Sequence, residues 1–185
     1  VYTETDASAF FAQVGYDFTD ALNLTVGIRR GHDEFAGTAG SAFGRVTGAL
    51  LPTVPITYRK TSFNATTGSA NLSYKVTPDV TLYGTYSRGN SPGGLNGGAA
   101  ALINFAPQNV DAFELGLKSQ FLDRKLQLNV ALFNNKYDDI QITQNTFING
   151  ALTGFITNAG KGYGRGVDVD AIAVVSDNLR LGVQY

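Results

Sequence analysis

Apolar and polar residues alternate with a period of two along four pairs of segments, and a short turn joins the two segments of each pair. Each turn contains an aspartate, and the turns lie at residues 19–21, 77–79, 122–124 and 176–178. After the third turn, the apolar row occupies every second position of residues 126–132, with Gln127 and Asn129 in between. Such alternation is typical of strands with two different faces. The sequence therefore predicts an all-β chain of four hairpins, or about eight antiparallel strands.

The connections at the two ends of the predicted strands differ in length. Those between successive hairpins are long and contain glycine, over about 34–61, 90–108 and 143–159. We expect part of the first connection to extend the flanking strands. Short turns at one end and long loops at the other are the asymmetry of an outer-membrane β-barrel. Soluble β-sandwiches also alternate, but their loops have similar lengths at both ends, so the pattern favours a transmembrane barrel.

The apolar rows also predict which face of the strands contacts lipid. In the second strand, an apolar row runs through residues 22–28, whereas Arg29 belongs to the opposite row. A shift of register by one residue would move Arg29 onto the lipid face, where a charge costs about 2–4 kcal/mol at the centre of the membrane. Strands of about ten residues, tilted by about 45°, rise about 25 Å, which matches the apolar band of an outer membrane.

Composition narrows the classes of function. The 185 residues carry a formal net charge of −1, which gives no basic field for a nucleic-acid partner. The sequence contains no cysteine, which excludes disulfides and thiolate metal sites, and we predict no metal site and no cofactor. The longest apolar runs, such as residues 171–175, fall far short of the ~18 residues that a spanning helix needs.

Several segments of the chain resemble one protein family. The most specific is Glu-Leu-Gly-Leu-Lys at residues 114–118, and residues 74–89, followed by Pro-Gly-Gly-Leu-Asn at residues 92–96, form a second. Residues 126–141 and 158–168 continue the pattern. Together these segments resemble the barrel of TonB-dependent outer-membrane receptors, and the resemblance covers essentially the whole chain.

This resemblance implies energised uptake of a scarce ligand, most often a ferric siderophore, at the bacterial outer membrane. Such receptors are barrels of about 22 strands with a plugged lumen, and the TonB complex pulls on the plug through a short N-terminal box. The sequence contains no plug or box segment. We therefore expect residues 1–185 to be a partial barrel domain of a transport receptor. The implied partners are a ferric siderophore or similar small ligand, the TonB complex through the missing plug and box, and outer-membrane lipid.

Two other interpretations of the sequence stay open. About eight strands can close into a small barrel filled by side chains, and the terminal aromatic Tyr185 resembles an assembly signal of outer-membrane proteins. A passive porin is the second alternative. Catalysis would need an acid–base constellation, but His32 is the only histidine and no nucleophile lies at motif spacing from it. We therefore predict that the protein is not an enzyme.

Three arginines in or beside the long connections are candidates for ligand binding, namely Arg45, Arg59 and Arg88. A guanidinium donates paired hydrogen bonds to anionic oxygens, which suits an anionic ferric chelate. The simpler alternative is that each arginine is a solvated loop cation.

Other positions have structural interpretations. Glu114 and Lys118 lie four residues apart on one face, and we expect an ion pair between them in the lumen. Tyrosine is typical of membrane interfaces. We assign this location to Tyr16, Tyr74, Tyr83, Tyr86 and Tyr137.

Overall fold

The computed structural model describes residues 3–41, 54–97, 104–148 and 151–185, and within these ranges the chain contains strands, turns and short irregular segments. No helix of the described residues is long and apolar enough to cross a membrane. The strands are β1 Thr3–Asp17, β2 Leu22–Ser41, β3 Val54–Thr77, β4 Val80–Ser91, β5 Gly94–Leu95, β6 Asn104–Phe105, β7 Gln108–Phe121, β8 Leu126–Asp138, β9 Gln141–Ile148, β10 Ala151–Asn158, β11 Lys161–Ser176 and β12 Leu179–Gln184.

Eight of the described strands form one antiparallel sheet in the order β1-β2-β3-β4-β7-β8-β11-β12. The other four form two small antiparallel pairs, β5 with β6 and β9 with β10, inside the second and third long connections. The predicted all-β class and its four hairpins are confirmed. The third connection was predicted as a loop, and the hairpin β9–β10 replaces most of it.

The first long connection is largely strand. β2 continues to Ser41 and β3 begins at Val54, and the two stay paired in register beyond Glu34 and Ser62. The part of β2 beyond Ile28, the last residue of its apolar row, corresponds to about 40 Å of extended chain. The expected extension of the flanking strands is therefore confirmed and is longer than the sequence alone suggests.

Local hydrogen bonds and backbone conformation fix the short turns. In the first turn, Thr19 Oγ1 accepts hydrogen bonds from the backbone N–H groups of Ala21 and Leu22 at 3.2 and 3.0 Å. The third turn uses three consecutive residues in the left-handed region, where aspartate is tolerated better than most residues. These residues are Leu122, Asp123 and Arg124, with φ of 54°, 53° and 67°.

The two faces of the sheet differ as predicted. One face, here called the apolar face, carries the apolar rows, and in the chain alone Phe113, Leu115 and Leu132 are 56%, 61% and 50% exposed. The other, here called the polar face, carries the residues in between. Among the described residues, Ala36 and Ala65 are the buried apolar ones, so the sheet has no apolar core of its own. A continuous apolar surface of this kind needs a cover, and lipid fits it.

The interfacial assignment is wrong for Tyr83 and Tyr137. Tyr83 pairs in register with Ser73 and Gly116, which places it on the polar face. Tyr137 lies an odd number of residues from Leu132 on β8, so it also belongs to the polar face. Residue type suggested the interface, but the two-residue period decides which side of the wall a tyrosine occupies.

The expected ion pair between Glu114 and Lys118 is also absent from the described contacts. Tyr83 stands between them, because its hydroxyl donates to Glu114 Oε1 at 2.6 Å and its ring centre lies 5.1 Å from Lys118 Nζ. Four residues along a strand span about 13 Å, whereas the same separation brings side chains together on a helix. The tyrosine therefore bridges a gap that the two charged groups cannot close directly.

The sheet has two edges. β1 and β12 lie at opposite ends of the strand order, and the described strands contain no pairing between them. A small closed barrel of eight strands would require that pairing. The open sheet therefore does not support this alternative.

Candidate functional site at the loop end

The second long connection packs on the polar face of β2 and β3 near their loop ends. β5 contacts both strands, and Gly93 and Gly94 are buried. Beneath them, the rings of Phe35 and Phe63 lie 6.3 Å apart. A Cβ atom added at Gly93 would lie 2.8 Å from the Phe63 ring and 2.5 Å from the carbonyl oxygen of Phe105. Glycine at this position therefore allows the segment to approach the aromatic pair.

Three side-chain amides, here called the amide clamp, connect this segment to the hairpin β9–β10. Asn96 pairs with the backbone of Ile156, accepting from its N–H at 2.7 Å and donating to its carbonyl at 2.8 Å. Asn158 pairs in the same way with Ala106, at 2.7 and 2.9 Å. Gln141 Nε2 donates to the carbonyl of Ala106 at 3.0 Å. The two connections therefore form one hydrogen-bonded unit.

Replacing Asn96 with alanine is expected to open the amide clamp locally. Ile156 would lose the partners of both its N–H and its carbonyl, and an unsatisfied buried group costs about 1–3 kcal/mol. We expect hydrogen exchange at Ile156 to accelerate by about tenfold or more in the intact receptor, whereas the main sheet keeps its protection. Mass spectrometry of deuterium exchange measures both. Asn145→Ala, an exposed position in the same hairpin, is the control, and equal exchange in the two variants would contradict a restraining role.

The structure places the three candidate arginines apart. Arg45 lies outside the described residues. Arg59 lies on the polar face of β3, opposite Gly37 of β2, and is half-buried. Its Nε is buried and has no hydrogen-bond partner among the described residues. Arg59 is therefore the candidate whose position fits a ligand at the loop end.

Arg88 lies on the other face of the sheet. Its register partner on β3 is Gly68, nine residues from Arg59, which is about 30 Å along the strand. The Nη1 of Arg88 lies 3.2 Å from Asp111 Oδ1, and Tyr86 donates to the same oxygen at 2.8 Å. The structure therefore does not bring Arg88 together with Arg59.

Two partly exposed ion pairs lie near the loop end. Lys60 Nζ lies 2.6 Å from Glu34 Oε1, and this hydrogen bond raises the pKa of Lys60. Lys136 Nζ lies 2.8 Å from Asp138 Oδ2, and that hydrogen bond lowers the pKa of Asp138. Ion pairs that remain accessible to water contribute little to stability, so these two affect local geometry more than the stability of the fold.

The chemistry-bearing side chains of the polar face form hydrogen bonds rather than a reactive centre. Asn129 Nδ2 donates to Asp170 Oδ2 at 3.2 Å, beside the Tyr83–Glu114 contact. The described residues contain no group of three or more side chains that could hold a metal ion. On the opposite face of the sheet, His32 Nδ1 lies 3.0 Å from Asn64 Oδ1, which is a structural contact. The polar face therefore carries groups that can bind and position a ligand, and it shows no reactive centre among the described residues.

Neither the amide clamp nor the aromatic pair was predicted from the sequence. Asn96 and Ile156 are 60 residues apart, and no period or motif links an asparagine to a distant backbone group. The pair of Phe35 and Phe63 does have a signal, because continuing β2 and β3 in register brings these two positions close together on the polar face. Extending the strands through the first connection would have found it.

Comparison with known proteins shows a match over the whole chain. The family model described as "TonB dependent receptor-like, beta-barrel" matches residues 1–185. The probable TonB-dependent siderophore receptor PiuA of Acinetobacter baumannii is 31% identical over 100 residues, which cover 49% of this chain and 14% of that protein. The catecholate siderophore receptor Fiu of Escherichia coli is 28% identical over 160 residues, which cover 77% of this chain and 21% of Fiu. The chain thus spans about a fifth or less of these relatives' length.

Solved structures share the fold. The ferric yersiniabactin uptake receptor FyuA of Yersinia pestis superposes with a TM-score of 0.76 at 19% identity, covering 99% of this chain and 26% of that one. The copper transporter OprC superposes with a TM-score of 0.75 at 14% identity, and the match covers 98% of this chain and 28% of OprC. Identities this low establish the fold and leave the transported ligand open.

Proposed function

Because the chain belongs to the family of TonB-dependent receptor β-barrels, which are receptors of the bacterial outer membrane, we propose that it forms part of the wall of a transporter that takes up a ferric siderophore. The observation that carries this proposal is the family match over residues 1–185, together with siderophore receptors as the curated relatives. The predicted location in the outer membrane and the prediction that the protein is not an enzyme agree with this family.

We propose that residues 1–185 form a partial domain within a barrel of about 22 strands. The side chains of β1 and β12 are exposed along the whole of both strands. Unpaired backbone groups at a sheet edge are not tolerated in lipid, which supports further strands beyond both edges. In such a barrel the polar face lines the lumen, where a plug coupled to the TonB complex would lie.

The loop end is the extracellular mouth in this proposal, and Arg59 is its candidate ligand-binding residue. Its half-buried guanidinium lies on the lumenal side, and its Nε has no hydrogen-bond partner among the described residues. A hydrogen bond between charged groups contributes about 1.5–3 kcal/mol, so Arg59→Ala is expected to weaken binding of an anionic ferric chelate by about tenfold or more. Arg88→Ala, on the outer face, is expected to leave the affinity unchanged.

Titration of the purified full receptor with a ferric catecholate siderophore measures these affinities. Arg59→Lys tests whether the paired donors or the charge alone matter, because lysine keeps the charge and loses the planar fork. Equal affinities of the Arg59→Ala variant and the unaltered receptor would remove Arg59 from the ligand site. A loss in Arg88→Ala as large as that in Arg59→Ala would show that the effect is not local.

Uptake by cells tests the transport proposal itself. Deleting the gene of the full receptor is expected to reduce accumulation of radioactive iron supplied as a ferric catecholate siderophore, and the gene on a plasmid is expected to restore it. A second strain without TonB, which keeps the receptor, is expected to show the same loss. Uptake that is unchanged without TonB would indicate a passive pore. If deletion of the gene reduces only the uptake of copper or of heme, the transported ligand is that compound and not a ferric siderophore.

A further inference from the structure

The apolar face ends in an ordered polar row at the loop end of the sheet. On each of the six inner strands, one outward-facing residue comes directly after the apolar row. We call this set the arginine rim, and it consists of Arg30 on β2, Thr66 on β3, Arg88 on β4, Asp111 on β7, Asn134 on β8 and Arg165 on β11.

The strand register places the rim residues side by side in three pairs. Arg30 is the partner of Thr66, Arg88 of Asp111 and Arg165 of Asn134. Successive pairs are displaced by two residues along the strand. The register partner of Arg88 on β3 is Gly68, which is two residues from Thr66. The partner of Asn134 on β7 is Phe113, which is two residues from Asp111. A barrel whose strands are tilted requires this stagger for its residues to stay at one depth in the membrane. The rim therefore follows a single level around the wall.

Each arginine of the rim is held by its partner across the strands. Arg30 Nη1 donates to Thr66 Oγ1 at 2.5 Å, Arg88 Nη1 to Asp111 Oδ1 at 3.2 Å, and Arg165 Nε to Asn134 Oδ1 at 2.7 Å. A guanidinium has five N–H donors, so these contacts position the group and leave further donors on it. All three arginines are exposed. The rim thus presents positioned donors outward, away from the lumen.

Aromatic side chains fix the depth of the rim in the membrane. Tyr86 lies directly below Arg88 on the apolar face, and its ring centre lies 4.7 Å from that of Phe113. The ring of Tyr163 lies 5.1 Å from Arg165 Cζ. Tyrosines on the outside of a barrel wall lie at the level of the lipid headgroups. The arginines therefore stand where headgroups meet hydrocarbon.

Charge is concentrated on this row. The rim has three arginines and one aspartate, which is a net charge of +2, whereas the whole chain has a net charge of −1. Directly above it, Lys136 and Lys161 share the single carboxylate of Asp138, at 2.8 and 3.7 Å. Other outward positions above the rim carry mixed charges, since Lys60 pairs with Glu34. Glu4 and Asp6 of β1 lie on the same face. The excess of positive charge therefore belongs to the rim itself, and a matching ligand would carry anionic oxygens.

We propose that the arginine rim binds the phosphate groups of anionic lipids in the outer leaflet. The partner has to combine an anionic group with hydrocarbon, because the rim lies directly beside the apolar rows that contact the acyl chains. Guanidinium groups bind phosphate through paired hydrogen bonds, and basic clusters beside a spanning segment recognise anionic headgroups. The rim is separate from the lumenal mouth, so the proposal is independent of the transported ligand.

Lipid retention by the purified full receptor tests this proposal. The probes are lipid A with its phosphates and the same lipid with its phosphates removed, and native mass spectrometry counts the molecules that stay bound. The test variant is Arg30→Gln/Arg88→Gln/Arg165→Gln. The control variant is Lys75→Gln/Arg124→Gln/Arg180→Gln, which removes the same charge from exposed positions at or near the short turns. Heat-modifiable migration on a gel shows that each variant is folded.

We expect the unaltered receptor and the control variant to retain phosphorylated lipid A in preference to the phosphate-free form. The rim variant is expected to lose this preference, with affinity for lipid A lower by about tenfold or more. If the triple variant does not fold, the single variant Arg165→Gln, which leaves no acidic partner unpaired, takes its place. Equal retention by rim and control variants would overturn the proposal, as would displacement of lipid A by inorganic phosphate alone at similar concentration.

Discussion

Leu72→Arg is expected to prevent most of the receptor from reaching its folded state in the outer membrane. Leu72 lies on the apolar face of β3, in register with Leu24 of β2, and is 47% exposed in the chain alone. An arginine on the lipid side of a barrel costs about 2–4 kcal/mol near the centre of the membrane, which is a large share of the stability of a typical domain. The fraction of heat-modifiable receptor in purified outer membranes measures the effect.

The neighbouring position supplies a matched control. Ser73 is adjacent in sequence but lies on the polar face, opposite Asn23 and Tyr83. The same change, Ser73→Arg, is expected to leave most of the receptor folded, because the charge would point away from lipid. Equal folding of the two variants would mean that the apolar rows do not contact lipid, and a loss in Ser73→Arg alone would mean that the faces are assigned the wrong way round.

Gly68→Ala is expected to destabilise the sheet by about 1–3 kcal/mol, the usual cost of inserting atoms into a closely packed site. A Cβ atom at this position would lie 2.5 Å from the backbone carbonyl oxygen of Gly27. A backbone atom within a paired strand cannot move aside as a side chain can, so β2 and β3 would have to separate locally. Unfolding of the full receptor by denaturant in lipid vesicles measures this free energy.

Gly84→Ala is the control for the Gly68 variant. Gly84 also faces outward on the sheet, but the nearest atom to an added Cβ is Leu115 Cδ1 at 4.0 Å, which is an ordinary contact. We expect the unfolding free energy to change by less than about 0.5 kcal/mol. A comparable loss in both variants would show that the close approach of Gly68 to Gly27 is not the cause, because conformational entropy alone favours alanine over glycine in a strand.

The transmembrane part of the fold was predictable because lipid imposes a strict period. Each apolar row of four residues, such as the one from Leu126 to Leu132, marks one face of one strand, and a slip by one residue would place polar groups in lipid. Beyond Ile28 that constraint ends, and β2 continues through Gly37 with no apolar row to reveal it. The sequence therefore predicted the strands inside the membrane and some extension beyond it, but not how far that extension reaches.

The loop-end contacts could not be predicted because they join distant residues through backbone groups. Asn96 recognises the N–H and carbonyl of Ile156, and any residue type could supply those groups. The expected pair of Glu114 and Lys118 failed for a different reason, since a spacing of four residues suits a helix and not a strand. Of the three candidate arginines, residue type alone does not separate Arg59, on the polar face, from Arg88, on the apolar face. Arg88 follows the apolar row of β4 by two residues. The face of Arg59 depends on how far β3 continues into the first long connection, which the sequence does not show.

The most direct test of the central claim, that these strands form part of an outer-membrane barrel wall, is a collision scan along β8. The chain contains no cysteine, so a single cysteine can be introduced at each position of residues 127–134 in the full receptor, once any cysteines elsewhere in it are replaced. A spin label there reports collisions with oxygen, which is enriched in lipid, and with a nickel chelate confined to water. We predict a two-residue period, with the ratio of oxygen to nickel collisions highest at Leu128, Val130 and Leu132. That ratio should fall at Asn134, where the arginine rim begins. Equal ratios on both faces along the whole strand would contradict the account.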